Sequence, residues 1–79
     1  MLTGKFFRLN AEILGIEDQD GTRLAFAVPK GSVIRVIHGM ETGDKRMLDI
    51  EWEGKTLVVF AADVREHGEE VGHAKSSRT

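Results

Sequence analysis

The chain has 79 residues, a formal net charge of −2 at pH 7 and no cysteine, so we expect one domain without disulfides or thiolate metal sites. Acidic and basic residues are scattered along it, which does not favour a polyanion as the default partner. The N-terminal residues lack the apolar core of a secretory signal, and no segment reaches the roughly 18 apolar residues of a membrane span. We therefore expect a cytoplasmic protein with no membrane association.

The first predicted element covers residues 5–16, where apolar and polar side chains alternate as they do in a half-buried strand. Four of its apolar residues also fit helical spacing, so periodicity leaves helix and strand open. We favour a strand, because the later segments all predict strands. Residues 17–23 then form a polar turn around Asp20 and Gly21, a dipeptide suited to a primed turn. The four residues with helical spacing are Phe6, Leu9, Ile13 and Ile16.

Two more strands are predicted between residues 24 and 37. In residues 24–28 large and small apolar side chains alternate up to Pro29. Because proline cannot donate a hydrogen bond to a sheet, it marks the end of a strand or an edge. Residues 33–37 are rich in β-branched side chains and form the next strand, with Arg35 directed to solvent. Residues 38–46 follow as a loop.

The clearest prediction is a tight β-hairpin over residues 47–60. Two apolar runs flank Glu53 and Gly54, a two-residue turn with glycine in second place. Such a turn fixes the cross-strand pairs, and directly opposed residues share a face. The core face of the hairpin then carries Leu48, Ile50, Leu57 and Val59, with Trp52 and Lys55 at its outer end. We expect the first four, together with Val36 and Phe26, to be among the most buried side chains.

The opposite face of the hairpin holds a surplus of apolar side chains. Met47, Val58 and Phe60 share it with three polar residues, although a fully solvated face needs no large apolar groups. Either another part of the chain covers these three residues, or they form a surface for self-association, for which a two-fold homodimer is the commonest solution.

After the hairpin the chain becomes polar. Residues 61–63 predict one 3₁₀ turn, and residues 64 and 65 a last short strand. Residues 66–79 contain one large apolar side chain, Val71, which predicts a flexible polar tail. We expect that residues 68–79 can be removed without loss of stability.

Three segments in this order, VPKGSVIRV, LDIEWEGKTLVVF and AADVRE, resemble the SH3-like small β-barrel of short, uncharacterised bacterial proteins. The resemblance covers about residues 24–66. It implies an all-β, five-stranded SH3-like barrel over residues 2–65 with one 3₁₀ turn, followed by a flexible tail at 66–79. Residues 17–23 would lie in a long first loop. The resemblance implies no catalytic residues, because this fold supports many unrelated activities.

No residue pattern predicts a metal, a cofactor or an enzymatic activity. Asp18, Asp20 and Gly21 resemble part of a calcium-binding loop, but Ile16 and Ala27 stand where further ligands are needed. The histidines do not have the spacing of metal ligands either; they are His38, His67 and His73.

The candidate ligand contacts are Trp52, Lys55 and Arg35. Peptide-binding SH3 domains use a groove of exposed aromatic residues, whereas this chain has no tyrosine and one tryptophan. Trp52 either covers the end of the barrel, with a cation–π contact to Lys55, or contacts a ligand. The sequence therefore predicts a non-enzymatic binding or assembly module with an unknown protein partner. A small-barrel nucleic-acid-binding protein is the alternative, with Arg8, Lys30, Arg35, Lys45, Arg46 and Lys55 as its basic residues.

Overall fold

The computed structural model describes residues 4–38 and 46–72, which form one antiparallel sheet and one short helix. The sheet order is β3-β2-β6-β5-β4-β1-β7, so the described strands form an open sheet with β3 and β7 at its edges. The all-β prediction is confirmed, but there are seven strands rather than five, and a closed barrel is not confirmed. The elements are β1 (Phe6–Leu9), β2 (Ile13–Gln19), β3 (Thr22–Val28), β4 (Val33–His38), β5 (Met47–Trp52), β6 (Lys55–Phe60), α1 (Ala61–His67) and β7 (Gly68–Gly72).

The predicted register of the β5–β6 hairpin is confirmed. Its pairs run from Trp52 opposite Lys55 to Met47 opposite Phe60. Both turn residues have positive φ, 50° at Glu53 and 79° at Gly54. Positive φ at both central positions defines a type I′ turn, whose twist matches that of the flanking strands.

Glu53 is the less favourable of the two turn residues, because glutamate rarely adopts positive φ whereas asparagine does so readily. We expect Glu53→Asn to raise the free energy of unfolding by about 0.5 to 1 kcal/mol, as measured by urea denaturation. Glu53→Gln is the matched control, since it removes the same charge without this backbone preference. An equal gain from both variants would assign the effect to charge rather than to backbone conformation.

The N-terminal half also forms strands, so the preference for strand over helix in residues 5–16 is confirmed, although the segment contains two strands instead of one. The turn after β2 consists of Asp20 and Gly21 alone, with φ of 53° and 86°. The carboxylate of Asp18 accepts a hydrogen bond from the Gly21 amide at 3.1 Å. The long first loop implied by the SH3-like resemblance is therefore wrong for residues 17–23, which continue the two strands to a tight turn.

The core lies on one face of the sheet. The buried hydrophobic residues come from six strands and the helix. One sheet and one short helix can bury all of them only if the sheet curls around them. Five of the six predicted core residues are fully buried, whereas Phe26 is only partly buried. Burial along β3 falls from Val28 toward the Asp20–Gly21 turn, and Phe26 lies between the two. The buried residues are Phe7, Leu9, Ile13, Val28, Ile34, Val36, Leu48, Ile50, Leu57, Val59, Ala61 and Val64.

Gly15 lies on the core face of β2, where there is no room for a side chain. A Cβ atom built at Gly15 lies 2.9 Å from Cδ1 of Leu57 and 3.2 Å from Cγ2 of Val28. We expect Gly15→Ala to lower the free energy of unfolding by about 1 to 3 kcal/mol, measured by urea denaturation. Combining it with Leu57→Val, which shortens the closest side chain, should cost less than the sum of the two single changes. Strict additivity would show that this contact is not the cause.

The C-terminal part of the sequence prediction is wrong up to Gly72. Residues 61–63 begin α1, an α-helix that reaches His67, so neither a 3₁₀ turn nor a strand at residues 64 and 65 forms. Gly68–Gly72 forms β7, which pairs with β1 and is therefore not a flexible tail. The strand was missed because backbone pairing, not apolar burial, holds it on the sheet. Residues 73–79 of the predicted tail lie outside the described residues.

Candidate interaction surface

The face of β5, β6, β2 and β3 that points away from the core is largely apolar, and we call it the outer face. Asp49 on β5, opposite Val58, is an acidic residue among its apolar side chains. The rows of the outer face follow from the strand register. Val58 is opposite Ile16, and Ile16 is opposite Ala25. In the next row Met47 is opposite Phe60, and Leu14 is opposite Ala27. The apolar residues of the outer face are Leu14, Ile16, Ala25, Ala27, Met47, Val58 and Phe60.

Two protruding side chains and a groove shape the outer face. Leu14 and Phe60 keep 43% and 44% of their surface exposed. Beside them lies an open groove of about 350 Å³, lined by Ile16, Asp18, Arg23, Met47 and Val58. An apolar cavity of about 150 Å³ already holds a benzene ring, so an aromatic or long aliphatic side chain fits in this groove. The groove therefore combines an apolar floor with one acidic and one basic residue.

The small side chains of β3 explain why the outer face is uneven. Ala25 and Ala27 lie opposite Ile16 and Leu14, so the surface is lower over β3 than over β2. Arg23 stands opposite Asp18 at the end of the same two strands. The outer face is thus apolar along most of β2 and β3 and charged near the Asp20–Gly21 turn.

Arg35 and Glu51 mark the border of the outer face on the side of β4. They are directly opposed in the β4–β5 ladder. The Arg35 Nε donates a hydrogen bond to Oε1 of Glu51 at 3.1 Å, and Nη2 of Arg35 donates to the same oxygen. Both side chains are about 40% exposed (40% and 42%). Arg35 was predicted as a ligand contact, and in the structure its guanidinium is bound to this carboxylate.

Trp52 and Lys55 lie on the other face of the hairpin, at the end of the core. Trp52 is partly buried and packs against the core. The ammonium of Lys55 lies 5.9 Å from the centre of the Phe26 ring, so the cation–π contact predicted with Trp52 is formed with Phe26. The structure therefore brings Trp52 and Lys55 together but places Arg35 on the opposite face. The three predicted ligand contacts do not converge on one site.

Charged side chains elsewhere on the sheet lie close to side chains of opposite sign. Lys5 Nζ is 3.6 Å from Oε2 of Glu70, and Arg8 is opposite Glu69 in the β1–β7 ladder. Within residues 4–38 and 46–72, no three histidine, cysteine, aspartate or glutamate side chains come together as metal ligands. The described part of the chain also contains no helix with the length and apolar character needed to cross a bilayer. Lys45 and His73 lie outside the described residues, as does the side chain of His38.

Comparison with known proteins gives no relative. No protein-family model matches the chain, and neither a curated protein nor a solved structure matches it.

Sequence reasoning found only part of the outer face. The hairpin register correctly placed Met47, Val58 and Phe60 on the face opposite the core. It missed that Ile16 lies next to Val58, because nothing local to either strand indicates that β2 pairs with β6. The remaining apolar residues of the outer face lie on β2 and β3. The available signal for them was the Asp20–Gly21 turn, which fixes the β2–β3 register, together with the alternation of side chains between the two faces of each strand.

Proposed function

We propose that this protein is a non-enzymatic binding or assembly module that contacts a protein partner through the outer face. The observation that carries the proposal is the apolar groove between Met47, Val58 and Ile16, next to the exposed ring of Phe60. Contiguous apolar patches rimmed by polar residues are typical of protein contact sites. Aromatic and methionine side chains are also enriched in such contacts.

We further propose that the fold is a variant of the SH3-like small barrel. The β5–β6 hairpin, followed at once by a short helix, supports this assignment. In this variant the first hairpin has a tight turn, and β7 adds a strand beside β1.

A protein partner fits the charges of the surface better than a nucleic acid does. Nucleic-acid binding depends on clustered cations that replace the counterions of phosphates. Here Arg35 is bound to Glu51, and Lys5 lies beside Glu70. Acidic neighbours of this kind weaken the positive potential that phosphates require.

Site-directed photo-cross-linking in the native host tests this function. A benzophenone amino acid in place of Phe60 should give a discrete protein adduct. The matched control position is Leu24, which is exposed to a similar degree (37%) but lies on the opposite face of β3. Absence of a protein adduct at Phe60, or equal adducts at both positions, would contradict the proposal. A nuclease-sensitive adduct would instead favour the nucleic-acid alternative.

A further inference from the structure

We infer that the partner of the outer face is a second copy of this chain, bound around a two-fold axis that runs parallel to the strands between β2 and β6. This inference rests on the proposed function. The axis places β2 of each copy over β6 of the other, and β3 over β5. Sheets that pack face to face keep their strands within about 30° of each other, so the arrangement is a normal sheet packing.

Rotation about this axis places each row of the outer face over the same row of the second copy. Ile16 and Val58 are opposed across β2 and β6, and Leu14 and Phe60 continue that register by two residues. Exchange of the two strands therefore places Ile16 over Val58 of the second copy, and Leu14 over Phe60 of the second copy. The small side chain of Ala27 then faces the long side chain of Met47. In the middle row Ala25 faces Asp49 of the second copy. The apolar contacts are therefore Ile16 with Val58, Leu14 with Phe60 and Ala27 with Met47, and the exposed ring of Phe60 loses its contact with water.

The same axis also brings charged side chains of opposite sign together. Arg23 and Glu51 lie in the same row of the sheet. Arg23 is on β3 and Glu51 is on β5, and each of these is the second strand from the axis. Each Arg23 therefore faces Glu51 of the second copy, and symmetry makes this ion pair twice. Among the described residues Arg35 binds Oε1 of Glu51, and we expect the second arginine to reach Oε2. Opposite charges placed in this way select the arrangement as well as stabilise it.

The outer face is small for a dimer interface. Four strands about 4.8 Å apart and three rows of side chains cover roughly 400 Å² per copy in projection, which is an upper limit because the curled sheet makes the outer face convex. The two copies together therefore bury no more than roughly 800 Å², less than the 1,200 Å² or so of standard interfaces. We expect a weak dimer that dissociates at micromolar concentrations.

Sedimentation equilibrium of the 79-residue chain, from about 1 µM to about 1 mM, measures this association. The average mass should rise with concentration from 8.8 kDa toward twice that value. Arg23→Glu and Glu51→Lys should each weaken the dimer about tenfold, because each places like charges opposite one another twice. Arg8→Glu, the same change at an exposed arginine outside the outer face, should leave the association unchanged.

Mixing the two weakened variants is the decisive step. In a heterodimer of Arg23→Glu with Glu51→Lys, both charge pairs are again of opposite sign, so association should return to about the wild-type level. A defect in folding cannot produce this recovery, and thermal unfolding of each variant checks that it is folded.

A chain that stays monomeric at every concentration, a dimer insensitive to Arg23→Glu, or a mixture that does not recover would each overturn the inference. If the chain is monomeric but the Phe60 position still captures a different protein in cells, only the second copy is excluded. If the Phe60 position captures no protein, the proposed function fails as well.

Discussion

Leu57→Ala is expected to lower the free energy of unfolding by about 2 to 5 kcal/mol. Leu57 is fully buried, opposite Ile50 on the core face of the hairpin, and its Cδ1 fills the space above Gly15. Truncation removes apolar contacts and leaves a cavity that the tightly packed strands cannot close. A chain of this size has a total stability of roughly 4 to 12 kcal/mol, so the loss is a large fraction of it. Urea denaturation, followed by the fluorescence of Trp52, measures the change.

Leu24→Ala is the matched control, because it makes the same substitution at a leucine that is 37% exposed. It should change the free energy of unfolding by much less. Similar losses at both positions would contradict the placement of the core on this face of the hairpin. Ile50→Ala, on the neighbouring strand, should repeat the large effect seen at Leu57.

Ending the chain after His67 is expected to cost about 2 to 4 kcal/mol, because it removes the ladder between β7 and β1 at roughly 0.5 to 1.5 kcal/mol for each hydrogen bond. The ladder pairs Phe7 with Glu70, Arg8 with Glu69 and Leu9 with Gly68. The truncation also removes Gly68, whose backbone N–H donates a hydrogen bond to the carbonyl oxygen of Val64 at the end of α1. Thermal and urea denaturation of the shortened chain measure the loss.

A chain that ends after Gly72 is the control for this truncation, since it keeps β7 complete. The two shortened chains should differ in stability by the contribution of β7. If both shortened chains unfold at the same urea concentration, β7 contributes nothing to the free energy of unfolding. The prediction from the sequence that residues 68–79 can be removed without loss of stability would then be correct.

The two hairpins show which features of this fold were predictable. Glu53-Gly54 and Asp20-Gly21 are short turns that impose a register on the residues beside them. For β5 and β6 the apolar runs on both sides of the turn predict two strands, and every cross-strand pair follows from the turn. For β2 and β3 the polar residues near the turn suggest a loop, although polar side chains are normal where two strands extend beyond the core.

Long-range pairing and backbone-driven structure were not predictable. The pairing of Ile16 with Val58 joins residues far apart in sequence, and no local pattern specifies it. β7 carries two glutamates and two glycines, a composition that suggests a tail. It forms a strand because its backbone pairs with the edge of β1 that β4 does not occupy. The helix α1 buries Ala61 and Val64, three residues apart, and two residues at this spacing are too few to indicate a helix from the sequence.

The outer face also has a part that follows from local sequence and a part that follows from long-range strand pairing. Local alternation placed Met47, Val58 and Phe60 on one side of the hairpin. The contribution of β2 and β3, and with it the match between Arg23 and Glu51, depends on the order of strands in the sheet. A self-complementary surface can be recognised only after that order is known.

The central claim is that two copies of this chain meet through the outer face, and amide NMR spectra over a dilution series test it most directly. The account predicts that the signals that shift with concentration belong mainly to β2, β3, β5 and β6, with the largest changes near Ile16, Val58 and Phe60. Phe60→Glu should suppress these shifts. Shifts confined to β1, β4 and β7, or spectra that do not change with concentration, would contradict the claim.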